Sequence, residues 1–208
     1  MKYFILLGLV LIPFITKAQF TKGDMVLNLG ASFTNQKGYD QQTAPSYLNF
    51  DRVSLSINTK FGHFIHENLA FGGLLEGNID MYKFAYNGNK DAYLSGSAGV
   101  FIQRYFTMSE NFLFSIEAQS KFTRGYNSID YYNPLIGDID TQQSNYYALS
   151  LSAFPTFTFL PKPNWGIHAS IGSISHTFTK SLSIDDTANE TKLDFGSFSF
   201  GISYFFRD

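Results

Sequence analysis

Cysteine is absent from the 208-residue chain, which excludes a disulfide framework and any thiolate-held metal. Charge is scarce, at 15% of residues, and neither sign dominates. With 15 Lys and Arg against 17 Asp and Glu, there is no basic stripe of the kind nucleic acid requires, so no nucleic-acid partner is predicted. Past residue 18 no run of about 18 apolar residues remains, so nothing further along can cross a membrane as a helix. The residues that favour helices, Ala, Glu and Lys, are also few.

Aromatic residues and glycine are abundant: 23 Phe, 13 Tyr and 17 Gly. That composition favours strands and turns. The first stretch, MKYFILLGLVLIPFITKAQ, has Lys2 at a basic start, an apolar run from Tyr3 to Ile15, and Thr-Lys-Ala before Gln19. It predicts a signal peptide over residues 1–18 with cleavage after Ala18. The apolar run is shorter than the roughly 20 residues of a spanning helix and is interrupted by Pro13. Residues 19–208 are then one domain of 190 residues, with 13 basic against 17 acidic side chains and a formal charge near −4.

From Asp24 onward the dominant period is two. Val53, Leu55, Ile57, Thr59 and Phe61 alternate with Arg52, Ser54, Ser56, Asn58 and Lys60. Phe112, Phe114, Ile116 and Ala118 alternate with Ser115, Glu117, Gln119 and Lys121, and Phe198, Phe200, Ile202, Tyr204 and Phe206 with Ser199, Gly201, Ser203 and Phe205. This is the signature of half-buried strands. Eight are predicted, near 24–33, 51–62, 69–82, 92–106, 111–124, 145–160, 165–179 and 195–206. Residues 92–106 resist assignment of a facing, because Val100, Phe101 and Ile102 are apolar in succession. The connections alternate between short and longer, which places the tight turns of an antiparallel meander at one end and the loops at the other.

These features predict an all-β, closed, antiparallel up-and-down barrel of about eight strands. A soluble barrel would turn its apolar face inward and a membrane barrel would turn it outward. Export, the density of Phe on the apolar faces, and aromatic clusters near strand ends favour lipid. Those clusters include Tyr47, Phe50, Phe61, Phe64, Tyr82, Tyr105, Phe106, Tyr131, Tyr132, Tyr146, Tyr147, Trp165, Tyr204, Phe205 and Phe206. With eight strands the interior is predicted to be filled by Arg52, Asn58, Lys60, Glu76, Asp80, Glu117, Gln119 and Lys121, a plug of both signs with no open pore. The chain resembles the small outer-membrane β-barrel family of the OmpA and OmpX type in Lys60 to Gly73 (KFGHFIHENLAFGG), Phe154 to Ile174 (FPTFTFLPKPNWGIHASIGSI) and the terminal FGISYFF. Arg207 and Asp208 follow where such barrels often end on an aromatic residue. The resemblance implies the outer membrane of a Gram-negative cell, lipid as the main partner, and a monomer without cofactor.

Candidate chemistry is sparse. His168-Ala169-Ser170 looks like the His-x-Ser pair of the outer-membrane lipid A deacylase family, but a triad also needs a carboxylate, and neither neighbouring predicted strand supplies one. Glu76 and Glu117 are candidates for an acid and base pair, or for structural ion pairs. His63, His66 and Glu67 fit a metal weakly, Asp138, Asp140, Asp185 and Asp186 fit a cation, and Asn189-Glu190-Thr191 matches a glycosylation pattern. No catalytic, cofactor or metal site is assigned. The predicted role is structural or interactive, with the segment from Gly125 to Asn145 as the contact loop. The alternatives are a lipid-modifying barrel enzyme and a soluble ligand-binding barrel. Arginine at Ile57 or Phe200 should oppose assembly by about 2–4 kcal/mol if those positions meet lipid. Urea titration of the refolded protein in bilayers measures that cost, and an unchanged midpoint would favour the soluble barrel.

Overall fold

In this computed structural model the described residues are 19–40, 48–84, 90–133, 138–182 and 187–207, so the proposed leader, residues 1–18, lies outside them. Eight antiparallel strands, β1 (Met25–Asp40), β2 (Leu48–His66), β3 (Leu69–Phe84), β4 (Lys90–Ser109), β5 (Phe112–Asn133), β6 (Asp138–Lys162), β7 (Trp165–Ser181) and β8 (Thr187–Phe206), close in chain order into one barrel. The connections β2–β3, β4–β5 and β6–β7 are two-residue turns, Glu67-Asn68, Glu110-Asn111 and Pro163-Asn164.

The strands are longer than the sequence pattern indicated. Residues 125–133 and 138–145 are strand rather than loop: the β5–β6 ladder runs on through Tyr126↔Asn145 to Asn133↔Asp138. The ladders of β1 with β2 and of β7 with β8 likewise extend into stretches expected to be loops, to Asp40↔Leu48 and Lys180↔Thr187. These segments carry little apolar alternation, yet each grows from a paired hairpin, and every added residue contributes its backbone hydrogen bonds without a new closure cost.

At the turn end the interior is an apolar plug of Phe20, Val26, Phe64, Leu74, Phe101, Tyr105, Leu113, Leu160 and Phe205, each at most 4% exposed. Phe20 comes from the segment before β1. Its ring stacks on Phe64 and on Phe205, at 4.6 Å from each, and meets Tyr105 edge-on at 5.1 Å. Arg207 lies over the outer face of Phe20 at 4.4 Å. Burial draws its guanidinium below the ordinary arginine value, with Asp24 opposing.

The turns hold this plug by a repeated contact. The backbone N–H groups of Phe64, Tyr105, Leu160 and Phe205 donate to the carbonyls of Asp24, Asn68, Asn111 and Asn164, at 2.8, 2.8, 2.8 and 2.9 Å. Each turn asparagine thus fixes an inward residue of the adjoining hairpin. Asn68 adopts φ 56°, which asparagine tolerates better than most residues. Its side-chain oxygen accepts the N–H groups of Gln19 and Phe20, both at 3.1 Å, so one turn side chain seats the N-terminal segment.

One irregularity matters for the interior. Between Ile171↔Phe198 and Ser173↔Asp194 the β7–β8 ladder breaks, with Gly172 at φ +68°. A Cβ there would lie 2.7 Å from the Asp194 carbonyl oxygen, so glycine is required. Phe20→Ala should destabilise the folded barrel by about 3 kcal/mol, at the low end for a buried phenylalanine because the segment can undock. Urea unfolding in bilayers, with proteolysis at residues 19–24 as a local readout, checks this; unchanged stability would mean that the plug does not depend on Phe20.

Candidate functional site in the barrel lumen

Facing follows from exposure. Leu29, Phe33, Leu55, Ile57, Leu75, Ile79, Leu94, Ile116, Phe122, Leu151, Ile167, Phe198 and Phe200 are all exposed, at 40% or more. Their described strand neighbours one residue away point to the interior. The unassigned strand resolves the same way: Val100 and Ile102 face out, while Phe101, 1% exposed, joins the plug. The apolar band spans eleven residues on each of three successive strands, Phe71 to Met81, Ala92 to Ile102 and Phe112 to Phe122, and ends in exposed Lys83, Arg104 and Arg124. A tilted strand needs about 9–11 residues to cross the hydrocarbon.

Aromatic residues edge the band at the turn end. Cross-strand rings meet at Phe112–Phe159 (5.0 Å), Phe114–Phe157 (5.2 Å) and Trp165–Tyr204 (5.1 Å), an interfacial girdle. Of the aromatic residues expected there, Phe64, Tyr105 and Phe205 turn inward instead and build the plug. Tyr82 also faces the lumen, within 5.4 Å of Tyr93 and beneath Arg52. Tyr47 and the side chains of Phe50, Tyr131 and Tyr132 lie outside the described residues.

An apolar belt of bilayer height around a polar lumen, with tight turns at one end, decides the class. The chain is a transmembrane β-barrel of the outer-membrane type. The soluble ligand-binding barrel is overturned, because the Phe-rich faces point outward and cannot wall a cavity.

No family model matches the chain, and no curated protein matches it in sequence. Among solved structures the barrel is similar to Ail, the attachment invasion locus protein of Yersinia pestis, in complex with the heparin analogue sucrose octasulfate (12% identity, 89% of this chain and 100% of that chain, TM-score 0.42). It is also similar to Neisserial surface protein A (13%, 88% and 96%, 0.44) and to the outer membrane protein OprG from Pseudomonas aeruginosa (13%, 92% and 100%, 0.47).

Above the plug the lumen is crossed by ion pairs. Lys60 Nζ donates to both Glu117 oxygens, at 2.8 and 2.7 Å, and Glu117 is 1% exposed. Lys121 Nζ reaches both Glu76 oxygens, at 3.1 and 3.0 Å, and Arg52 bonds Asp80 through Nε and Nη2, at 3.1 and 2.8 Å. These are charges expected in the lumen, now resolved into partners from non-adjacent as well as adjacent strands. Around Lys60–Glu117 the side chains of Asn28, Gln103, Thr156, Thr158 and His168 leave only about 10 Å³ free.

The loop-end half departs from the filled plug. It holds a partly open polar cavity of about 600 Å³. Small inward side chains cause it: Ser32, Ser54, Ser56, Ser150, Ser152, Ser173, Ser175 and Ser199 line the space, together with Gly30 and Gly172. Eight strands give a lumen that large side chains fill and serines do not. The chamber is closed toward the turn end by Lys60–Glu117 and the plug, while Arg52–Asp80 and Lys121–Glu76 stand in its wall.

The chemical candidates are not brought together as sites. His168 Nδ1 meets Ser203 Oγ at 2.8 Å, while Ser170 Oγ meets Thr156 Oγ1 at 2.7 Å, so base and nucleophile are engaged separately. Glu76 and Glu117 each carry a lysine. His63 and His66 are exposed, and among the described residues no group of three or more His, Asp or Glu is placed to hold a metal. Asp185, Asp186 and the side chains of Asp138 and Asp140 lie outside the described residues. Asn189, Glu190 and Thr191 lie on β8, where Thr191 Oγ1 meets His176 Nδ1 at 2.8 Å.

Removing one member of a buried pair leaves an uncompensated charge. Lys60→Met should therefore cost about 3–5 kcal/mol, while Lys60→Met with Glu117→Leu should recover most of the loss. A double-mutant cycle by urea unfolding in bilayers measures this, and additive losses would show that the two groups do not interact.

Proposed function

We propose that this barrel is a non-conducting, non-enzymatic, monomeric outer-membrane protein whose role is structural or interactive, residues 19–208 forming the mature domain. The observation that carries the reading is the blind lumen. Packed rings close its turn end, in the periplasm on this reading, and an ion-paired layer with almost no free volume lies above them. Hydrolytic chemistry lacks support because His168 and Ser170 bond different partners.

The surface for contact is the β5–β6 hairpin, which continues for 22 residue pairs where about 9–11 residues span the hydrocarbon. Its far half includes the sequence YNSIDYYN, and tyrosine offers large contact area at small entropy cost. This is an extended ribbon rather than the loop first expected.

Reconstituted in planar bilayers, the protein should show no steady conductance; persistent ohmic channels would overturn the blind lumen. A variant with residues 129–142 replaced by a short turn should still sediment with outer membranes, resist carbonate extraction and keep its heat-dependent gel mobility. Loss of insertion would make the ribbon part of the barrel's folding core rather than a contact surface.

A further inference from the structure

The barrel's closing seam is incomplete. Strand β1 pairs with β8 over only seven residues, Met25–Ala31 against Phe200–Phe206, whereas the other seams run for thirteen to twenty-two pairs. Past Ala31, β1 remains paired with β2 up to Asp40, and past the bulge β8 remains paired with β7, but the two strands part. The cause is local. The break at Gly172 and Phe195–Ser197 lies just beyond the last seam pairs, and such bulges bend a strand and end its pairing.

The notch opens within the apolar belt. Seven paired residues are fewer than the roughly 9–11 that cross the hydrocarbon. Outward residues past the end of the seam are still apolar and among the most exposed in the chain: Phe33 at 65%, Leu193 at 61% and Phe195 at 77%. Strand edges are not tolerated facing lipid unless they line a wet cavity. Here they do, since Ser32 on β1 and Ser199 on β8 both line the 600 Å³ chamber. A polar, serine-lined space thus meets the bilayer at a gap flanked by phenylalanines.

That juxtaposition fits a molecule with a polar head and apolar tails. The chamber's charges are already paired: Arg52 with Asp80, Lys121 with Glu76, Lys60 with Glu117, and Lys192 with Asp194 at 3.7 Å. Among the described residues lining the chamber no cation is left over for a phosphate, whereas the serine hydroxyls both donate and accept. Its volume falls within the usual range for small-ligand sites, about 300–1,000 Å³. We propose that the β1–β8 notch is a lateral portal through which the uncharged, polyhydroxylated head of a glycosylated membrane lipid enters the serine-lined chamber, its acyl chains remaining in the bilayer against Phe33 and Phe195.

The test uses the full barrel in phosphatidylcholine nanodiscs, with insertion verified separately by heat-dependent mobility, so that failure to insert is distinguished from failure to bind. Amide resonances of Ser32, Ser175 and Ser199 are followed as monoglucosyl diacylglycerol is included in the disc, and separately as free glucose is added. The proposal expects saturable shifts with the glycolipid and none with glucose at equal concentration. Because the chain has no cysteine, Ser32→Cys with Ser199→Cys introduces the only thiols, at the rung next to Ala31↔Phe200. Oxidation of that pair should abolish the glycolipid shifts and reduction should restore them. Equal shifts with glucose would mean filling from the aqueous mouth and would overturn the portal. So would an absence of shifts with either probe in the wild-type barrel, or strand edges of β1 and β8 covered by a second copy of the chain in cross-linking.

Discussion

A polypeptide in hydrocarbon can satisfy its backbone N–H and C=O groups only with itself, and in an all-strand chain this demands a closed ring. Much else in this molecule follows from that requirement. Closure fixes which face is apolar, confines the charges of Arg52, Lys60, Glu76, Asp80, Glu117 and Lys121 to the lumen, and forces those charges to neutralise one another. It also makes the seam that is shortest among the described residues, ending at Ala31↔Phe200, the place where backbone groups lack a partner strand and need another partner.

The interior is divided by side-chain size. Phenylalanine, leucine and tyrosine fill the turn-end half, Lys60 and Glu117 sit in a dense middle, and serine and glycine leave the loop-end half open. The first layer gains from apolar burial and ring stacking. The middle layer is specific rather than strongly stabilising, because the desolvation of Lys60 and Glu117 offsets much of their attraction. The chamber above loses packing, a sacrifice consistent with a binding space.

Much of this was legible in the sequence. Period two showed the strands, and the alternation of Arg52 through Phe61 marked both faces correctly because neither of those faces reaches deep into the plug. The pattern failed at Val100-Phe101-Ile102, where an inward phenylalanine serves the plug and erases the contrast. It failed again where strands run on past the apolar belt, since no apolar alternation marks Tyr126 to Asn133. Phe20 went unrecognised because it precedes the first strand and packs only in three dimensions. Two features of the sequence carry a signal for the rest: the asparagine closing each tight turn (Asn68, Asn111, Asn164) and the serines at inward positions, whose small volume leaves room for a chamber.

The plug has a consequence for assembly. Its central ring, Phe20, is contributed from before the first strand, while Phe205 and Arg207, which enclose it, come from the other end of the sequence. Neither half of that contact exists until the last strand has met the first, so the aromatic stack is a latch that can engage only on a finished barrel. The sequence separation makes it slow to find, but once seated it opposes reopening at the shortest seam, β1 against β8. The strength of the fold at its shortest seam thereby draws on the Phe20–Phe205 contact as well as on the seven-pair ladder between β1 and β8.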